Sequence, residues 1–126
     1  MRLYLNERPE VCALCDLRES VGWGRSEEDY PAAFDSYRLT AAAYDGARLV
    51  GWCASVGDGV RHLFLIDLIV HPDFQRKGIG RALVEHIVAE SAVELIHADF
   101  TPEPAAFYEA CGFRIGKAGI LARPSG

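Results

Sequence analysis

An α/β (α+β) fold on a mixed, mostly antiparallel central sheet flanked by helices is the architecture this sequence predicts, and three observations predict it. Two turn signals, Asp45-Gly46 and Gly57-Asp58-Gly59, separate apolar runs and read as consecutive antiparallel connections. From His62 to Phe100 the pattern passes from strand to amphipathic helix to strand, a β-α-β unit that demands a parallel pair. At 126 residues, half of them hydrophobic, the chain reads as one domain over residues 1–126 with a core of its own.

The elements follow in order. Leu3 and Leu5 alternate in a short strand over 2–6. Pro9 suits a helix's first turn, and Val11, Leu14 and Leu17 continue at helical spacing to about Val21. Ser26 before Glu27, Glu28 and Asp29 has the form of an N-cap followed by acids at the positive end of the dipole, opening a second helix to about Ser36. Strands are expected over Leu39–Tyr44 and Ala47–Ser55. His62–Val70 is nearly all apolar, as in a central strand covered on both faces, and His71-Pro72 ends it. Ile79, Ala82, Leu83, His86 and Ile87 share a helix face, with Arg81 and Glu85 paired on the outside. Val93–Phe100 is a strand and Pro102–Cys111 a short helix stopped by Gly112. Phe113 to about Leu121 is expected to return as a strand or a strand pair.

Charge and composition exclude several functions. Thirteen basic against 18 acidic residues give a net charge of −5, so neither a nucleic-acid binder nor an anionic-membrane binder is expected. The start lacks a continuous apolar segment and Leu63–Val70 is too short to span a bilayer, so a cytoplasmic protein is expected. Cys12 and Cys15 have C-x-x-C spacing, but no second pair or histidine set completes a zinc site. The four cysteines read as free, mostly buried thiols, and no metal is assigned.

The most informative stretch is Gln75-Arg76-Lys77-Gly78-Ile79-Gly80-Arg81, between a strand and an amphipathic helix. The first N–H groups of such a helix lack intrahelical acceptors, and glycines let a phosphate approach the main chain. Arg76, Lys77 and Arg81 against Asp73 make the segment locally +2. It is not a P-loop, because Lys77 precedes Gly78 and no Ser or Thr follows. Nor is it a dinucleotide fingerprint, because Leu83 stands at the third glycine.

The pattern Gln75-x-x-Gly78-x-Gly80 after Val70-x-Pro72 resembles the acetyl-CoA loop of the GNAT family of N-acetyltransferases. Phe107-Tyr108-x-x-x-Gly112-Phe113 is similar to that family's later motif, at the family's spacing, and Leu49-Val50-Gly51 matches a weaker feature. The Asp-Gly turn, Asp67-Leu68, Val70-x-Pro72 and Ala118-Gly119-Ile120 look most like small bacterial and plastid arylalkylamine-type members. Thr101 and Pro104 stand where many members have Asn and Ala. No acid stands near Phe64, where histone-acetylating members place a base.

The resemblance implies the acyl-CoA N-acyltransferase fold, with the parallel strands splayed around the pantetheine arm of acetyl-CoA. It places Leu68, Ile69, Val70 and His71 beside that arm, the main chain of Gln75, Arg76, Lys77, Gly78, Ile79, Gly80 and Arg81 around the diphosphate, and Thr101, Phe107 and Tyr108 along the cofactor. Tyr108 is the implied general acid, or else a packing residue like Phe107. Asp67, the one acid among apolar neighbours in the central strand, is a candidate base or a partner for backbone amides at the splay. Trp23, Tyr30 and Tyr37 are candidate acceptor-pocket walls, and Asp99 a weaker polar candidate. The expected acceptor is a small-molecule amine, with direct transfer in a ternary complex. A silent acyl-CoA sensor, a protein lysine or N-terminal acetyltransferase and a nucleotide-phosphate binder are the alternatives. The family often dimerises, so a homodimer is admitted.

Overall fold

The computed structural model describes residues 1–99, 104–116 and 119–124. Five strands lie in chain order in one sheet: β1 (Arg2–Leu5), β2 (Leu39–Asp45), β3 (Arg48–Gly57), β4 (His62–Val70) and β5 (Leu95–Ala98). The first four pair antiparallel and β5 joins β4 in parallel. The helices are α1 (Val11–Ser20), α2 (Tyr30–Ser36), α3 (Ile79–Glu90) and α4 (Ala105–Ala110). None of the described helices is long and apolar enough to cross a membrane.

Strand alternation feeds two cores. Ala41, Ala43, Val50, Cys53, Leu63 and Leu65 face Ile79, Leu83, Val84 and Ile87 of α3. On the other face Ala42, Trp52, Ala54 and Ile69 meet Leu14, Cys15 and Leu17 of α1 and Tyr30 of α2. Gly51 explains why α3 sits where it does. A Cβ there would lie 3.0 Å from Leu83 Cδ1 and 3.2 Å from Ile79 Cγ2, so the bare Cα lets α3 settle on β3 without displacing either side chain.

The Gly57-Asp58-Gly59 connection closes on one carboxylate. Asp58 Oδ1 accepts from the N–H groups of Val60, Arg61 and His62 at 2.8–3.0 Å, which holds its carboxyl down at about 2.

Several expectations need correction. Ser26 is not a side-chain cap: it lies in the left-handed region (φ 58°), and the acids after it form a single 3-10 turn before α2. β4 is not covered on both faces, since Phe64 is 46 % exposed beyond the reach of α1 and α2. The strand also contains a bulge. Leu65 pairs with Ser55 but Asp67 with Ala54, so Ile66 is the extra residue. That insertion reverses the phase. Leu63 and Leu65 face α3, whereas Asp67 and Ile69 face α1, paired with Ala54 and Trp52.

No strand forms among the described residues of 113–121. Phe113 is committed to closing α4 through its N–H to Tyr108 C=O, and Ile120 and Leu121 are 72 % and 84 % exposed, without the packing that holds a strand.

Candidate functional site

The parallel ladder ends early. Its last rung is Leu65 opposite Ala98, yet β4 continues to Val70, leaving a gap on the β5 side. His71 N–H donates to Val50 C=O across β3, so alternation turns the N–H and C=O groups of Leu68 and Val70 toward that gap. Gln75 Nε2 donates to Val70 C=O at 2.9 Å and tethers the following loop to the strand end. His71 caps the Pro72–Phe74 turn, its Nδ1 accepting from Asp73 N–H at 3.1 Å.

The loop then alternates into left-handed backbone, at φ 64° for Arg76 and 82° for Gly78. A side chain in that region is unfavourable by about 1–2 kcal/mol, so Arg76 is a strained residue held by its surroundings. The result is a concave run of N–H groups leading into α3. Gly78 is the N-cap of that helix, no side chain caps it and no acid stands in its first turn. The N–H groups of Gly78 to Arg81 therefore have no intrahelical acceptor, and the positive end of the dipole faces the gap. A Cβ on Gly78 would meet nothing within 4 Å, so the cradle is open on that side. Such a cradle fits a diphosphate.

The second motif has a geometric reason. At the end of α4, Gly112 N–H donates to Glu109 C=O and Phe113 N–H to Tyr108 C=O, with Gly112 at φ 94°. This is a Schellman closure, and its usual apolar contact is the Tyr108–Phe113 ring pair at 5.5 Å. Phe107 stacks edge-on against Tyr108 at 5.1 Å, and its ring lies 3.4 Å from where a Gly80 Cβ would stand. The spacing from Phe107 to Phe113 thus fixes one phenol against the start of α3. Burial, with a smaller contribution from Cys53, pushes that phenol up to about 12.

Gap, loop and α4 enclose one groove of about 780 Å³. Its strand wall is Leu65 to Leu68 with Val70. Its loop wall runs from Phe74 to Arg81, except Lys77, and α4 contributes Pro104, Phe107 and Tyr108. Trp23 and Asp99 complete it. With Asp99 exposed, its half-buried carboxyl is Asp67. Burial raises its proton affinity, and Arg18 opposes that rise. Arg18 also holds Trp23 in place, its Nε donating to Gly24 C=O at 2.5 Å and its guanidinium lying 5.3 Å from the Trp23 ring.

Most of the expected residues come together here. Leu68, Val70, Gln75, Arg76, Gly78, Ile79, Gly80, Arg81, Phe107, Tyr108, Asp67, Asp99 and Trp23 all line the groove. Four others do not. Ile69 is buried against Trp52, His71 is the turn cap, and Tyr30 and Tyr37 belong to the aromatic layer beneath α1 and α2. Tyr30, opening α2, is 3 % exposed, and Tyr37, just after its end, packs half-buried with its ring 6.0 Å from that of Trp52. Lys77 turns aside over the Phe74 ring at 5.3 Å, and Arg81 is paired with Glu85 at 2.7 Å. Thr101 lies outside the described residues. Leu65, Ile66, Phe74, Pro104 and Arg18 are not among the candidates read from the sequence. Phe74 and Pro104 flank the two motifs and were within reach, whereas the Ile66 bulge leaves no mark in a continuous apolar run.

Comparison with known proteins agrees with this geometry. The profile of the family described as Acetyltransferase (GNAT) domain matches residues 36–115. Serotonin N-acetyltransferase 2, chloroplastic, of Oryza sativa subsp. japonica is 30 % identical over 112 residues, 82 % of this chain and 56 % of that protein. The chain spans 56–63 % of the length of three curated relatives that it matches. Among solved structures, the GNAT family protein SP0256 from Streptococcus pneumoniae TIGR4 superposes with TM-score 0.85 at 26 % identity, over 99 % of this chain and 98 % of that one. The aminoglycoside N-acetyltransferase AAC(6')-Iy, solved in complex with CoA, shares the fold at TM-score 0.76 and 15 % identity, over 99 % and 100 %.

Proposed function

Because this chain belongs to the GNAT acetyltransferase family, we propose that it transfers the acetyl group of acetyl-CoA to a primary amine of a small molecule, by direct transfer in a ternary complex. The observation that carries this reading is the meeting, in one groove, of an uncapped helix N-terminus, an unpaired strand edge, a carboxyl and a phenol. Acetyl-CoA supplies an activated acyl carbon on a thioester. The N–H groups of Gly78 to Arg81 hold its diphosphate, while Leu68 and Val70 pair with the pantetheine amides as a further strand would. Asp67 accepts a proton from the attacking amine, directly or through water, and Tyr108 donates toward the departing sulfur. The products are an amide and the CoA thiol.

A small-molecule acceptor is favoured by the half-buried position of Asp67 in a groove that Trp23 also lines. The rice relative's name is consistent with an amine on an apolar body. The test is thiol release from acetyl-CoA across a panel of arylalkylamines, polyamines, aminoglycosides and amine-bearing peptides. Turnover confined to small amines is expected. Turnover on peptides alone overturns the acceptor class, and CoA binding without any turnover makes the protein a sensor.

The pH dependence has a definite sign. Burial lifts Asp67 above the ordinary carboxylate range, so kcat/KM rises with pH along a limb displaced upward from that range. Asp67→Asn is expected to remove the limb and lower kcat/KM by about 100-fold. Arg18→Gln removes the opposing positive charge and moves the limb to higher pH. A limb unmoved in both variants assigns the base elsewhere.

A further inference from the structure

We propose that His62 and His97 form a two-histidine binding site for a borderline divalent transition metal such as Zn2+, outside the groove. The parallel register sets His62 opposite Leu95 and Phe64 opposite His97, so His62, Phe64 and His97 share a face. It is the face opposite Leu63 and Leu65, and it is the part of β4 that α1 and α2 leave open. Diagonally across these rungs His62 Nδ1 lies 3.1 Å from His97 Nε2.

That separation serves either a shared proton or a shared metal ion. Each neutral ring carries one N–H and one lone pair, and a hydrogen bond between them uses one of each. With His62 protonated on Nε2 and His97 on Nδ1, both lone pairs are free at the facing atoms. At metal–nitrogen distances of about 2.0–2.1 Å, a 3.1 Å separation subtends roughly 100° at the ion, between octahedral and tetrahedral angles. Binding then needs a tautomer change and a small ring rotation but no net loss of protons from neutral rings. Phe64 restrains the rotation, because its ring stacks on His97 at 4.4 Å and 13°.

The donor set defines the ligand. Two imidazoles suit zinc, copper or nickel rather than magnesium or calcium, which require oxygen donors. No group of three or more potential ligands occurs among the described residues, so the remaining positions belong to water or to a donor from another molecule. The ion would join β4 to β5 between the first and third rungs of their ladder.

Calorimetry with ZnCl2 on EDTA-treated protein at pH 7.5 tests the site, in a Cys12→Ser background that removes the exposed thiol. Saturable one-to-one binding is expected. His62→Gln and His97→Gln should each weaken it more than tenfold, since loss of an outer-shell partner alone costs about 10–100-fold. Both side chains are half-buried, so unaltered apo melting temperatures check the fold. In long-range 1H–15N spectra of the unsubstituted histidine pair, zinc should fix His62 as the Nε2–H and His97 as the Nδ1–H tautomer. Absence of binding, equal binding in the double variant or unchanged tautomers overturns the proposal. None of these readouts depends on acetyl transfer.

Discussion

Gly80→Asp is expected to weaken CoA binding at least about 100-fold in calorimetry while the protein stays folded. Gly80 is the second residue of α3, and a Cβ there points into the wedge between Phe107 and Val70, both walls of the groove. An aspartate would bring a full negative charge to the N–H cradle proposed to hold a diphosphate. Two unit charges 4 Å apart near a protein surface repel by about 4 kcal/mol, and a 100-fold loss needs only about 2.7 kcal/mol. Charge therefore outweighs sterics here. The control is Gly80→Ala, whose Cβ would stand 3.4 Å from Phe107, an ordinary contact, and whose helix propensity is better than glycine's. Alanine is thus expected to bind CoA within about threefold of the parent, a shift of under about 0.7 kcal/mol. If aspartate binds as well as alanine, the diphosphate does not sit at this helix end. Gly78 offers a different comparison. Its Cβ would meet nothing, but its φ of 82° makes any side chain costly by about 1–2 kcal/mol in loop conformation rather than in charge.

The parts of the fold that the sequence announced are those with local chemistry. His71-Pro72 ended β4, the glycines marked the start of α3, and Gly112 marked the end of α4, each because one residue's backbone preference decides the local path. The groove was legible for the same reason, since both of its motifs are backbone devices. The Gln75-to-Gly80 pattern builds an uncapped helix start, and the Phe107-to-Phe113 pattern is a Schellman closure around Tyr108.

What the sequence hid is set by non-local packing. His62 to Val70 is apolar almost throughout, so nothing in it reveals that Ile66 is an inserted residue or that the strand's phase reverses there. Without the bulge Asp67 would share a face with Leu65, toward α3; with it, Asp67 turns to the α1 side. The role of Tyr30 and Tyr37 was equally hidden, because whether an aromatic lines a pocket or fills a core depends on what lies beneath it. Here Trp52 lies beneath, with Phe34 between the two tyrosines. The described residues of 113–121 follow the same rule: Ile120 and Leu121 are apolar but exposed, without the packing that holds a strand.

Tyr108→Phe is expected to lower kcat by about 100-fold and leave the affinity for acetyl-CoA within about twofold, because a positioned proton donor is worth 10²–10⁴-fold in rate. Phenylalanine keeps the ring contacts to Phe107 and Phe113 and the Schellman hydrogen bonds, which are main-chain, so the groove retains its shape. Only the hydroxyl is lost. With its phenol pushed up to about 12, Tyr108 is neutral throughout the working range and always carries a proton to donate. That same elevation limits what it does. A phenol near 12 is a weaker acid than a thiol near 8.5, so its role at the sulfur is hydrogen-bond donation to the charge that develops there. Full transfer to the sulfur leaves a tyrosinate, and becomes favourable only when Tyr108 is reprotonated by the proton that Asp67 or water took from the amine. The rate loss should accordingly be the same from pH 6 to 9, in contrast to Asp67→Asn, which changes the profile's shape. It should also shrink for thioesters of more acidic thiols, whose departure needs less assistance. A Tyr108→Phe enzyme with unchanged kcat on every thioester would make Tyr108 a wall of the groove and leave the sulfur to depart unaided.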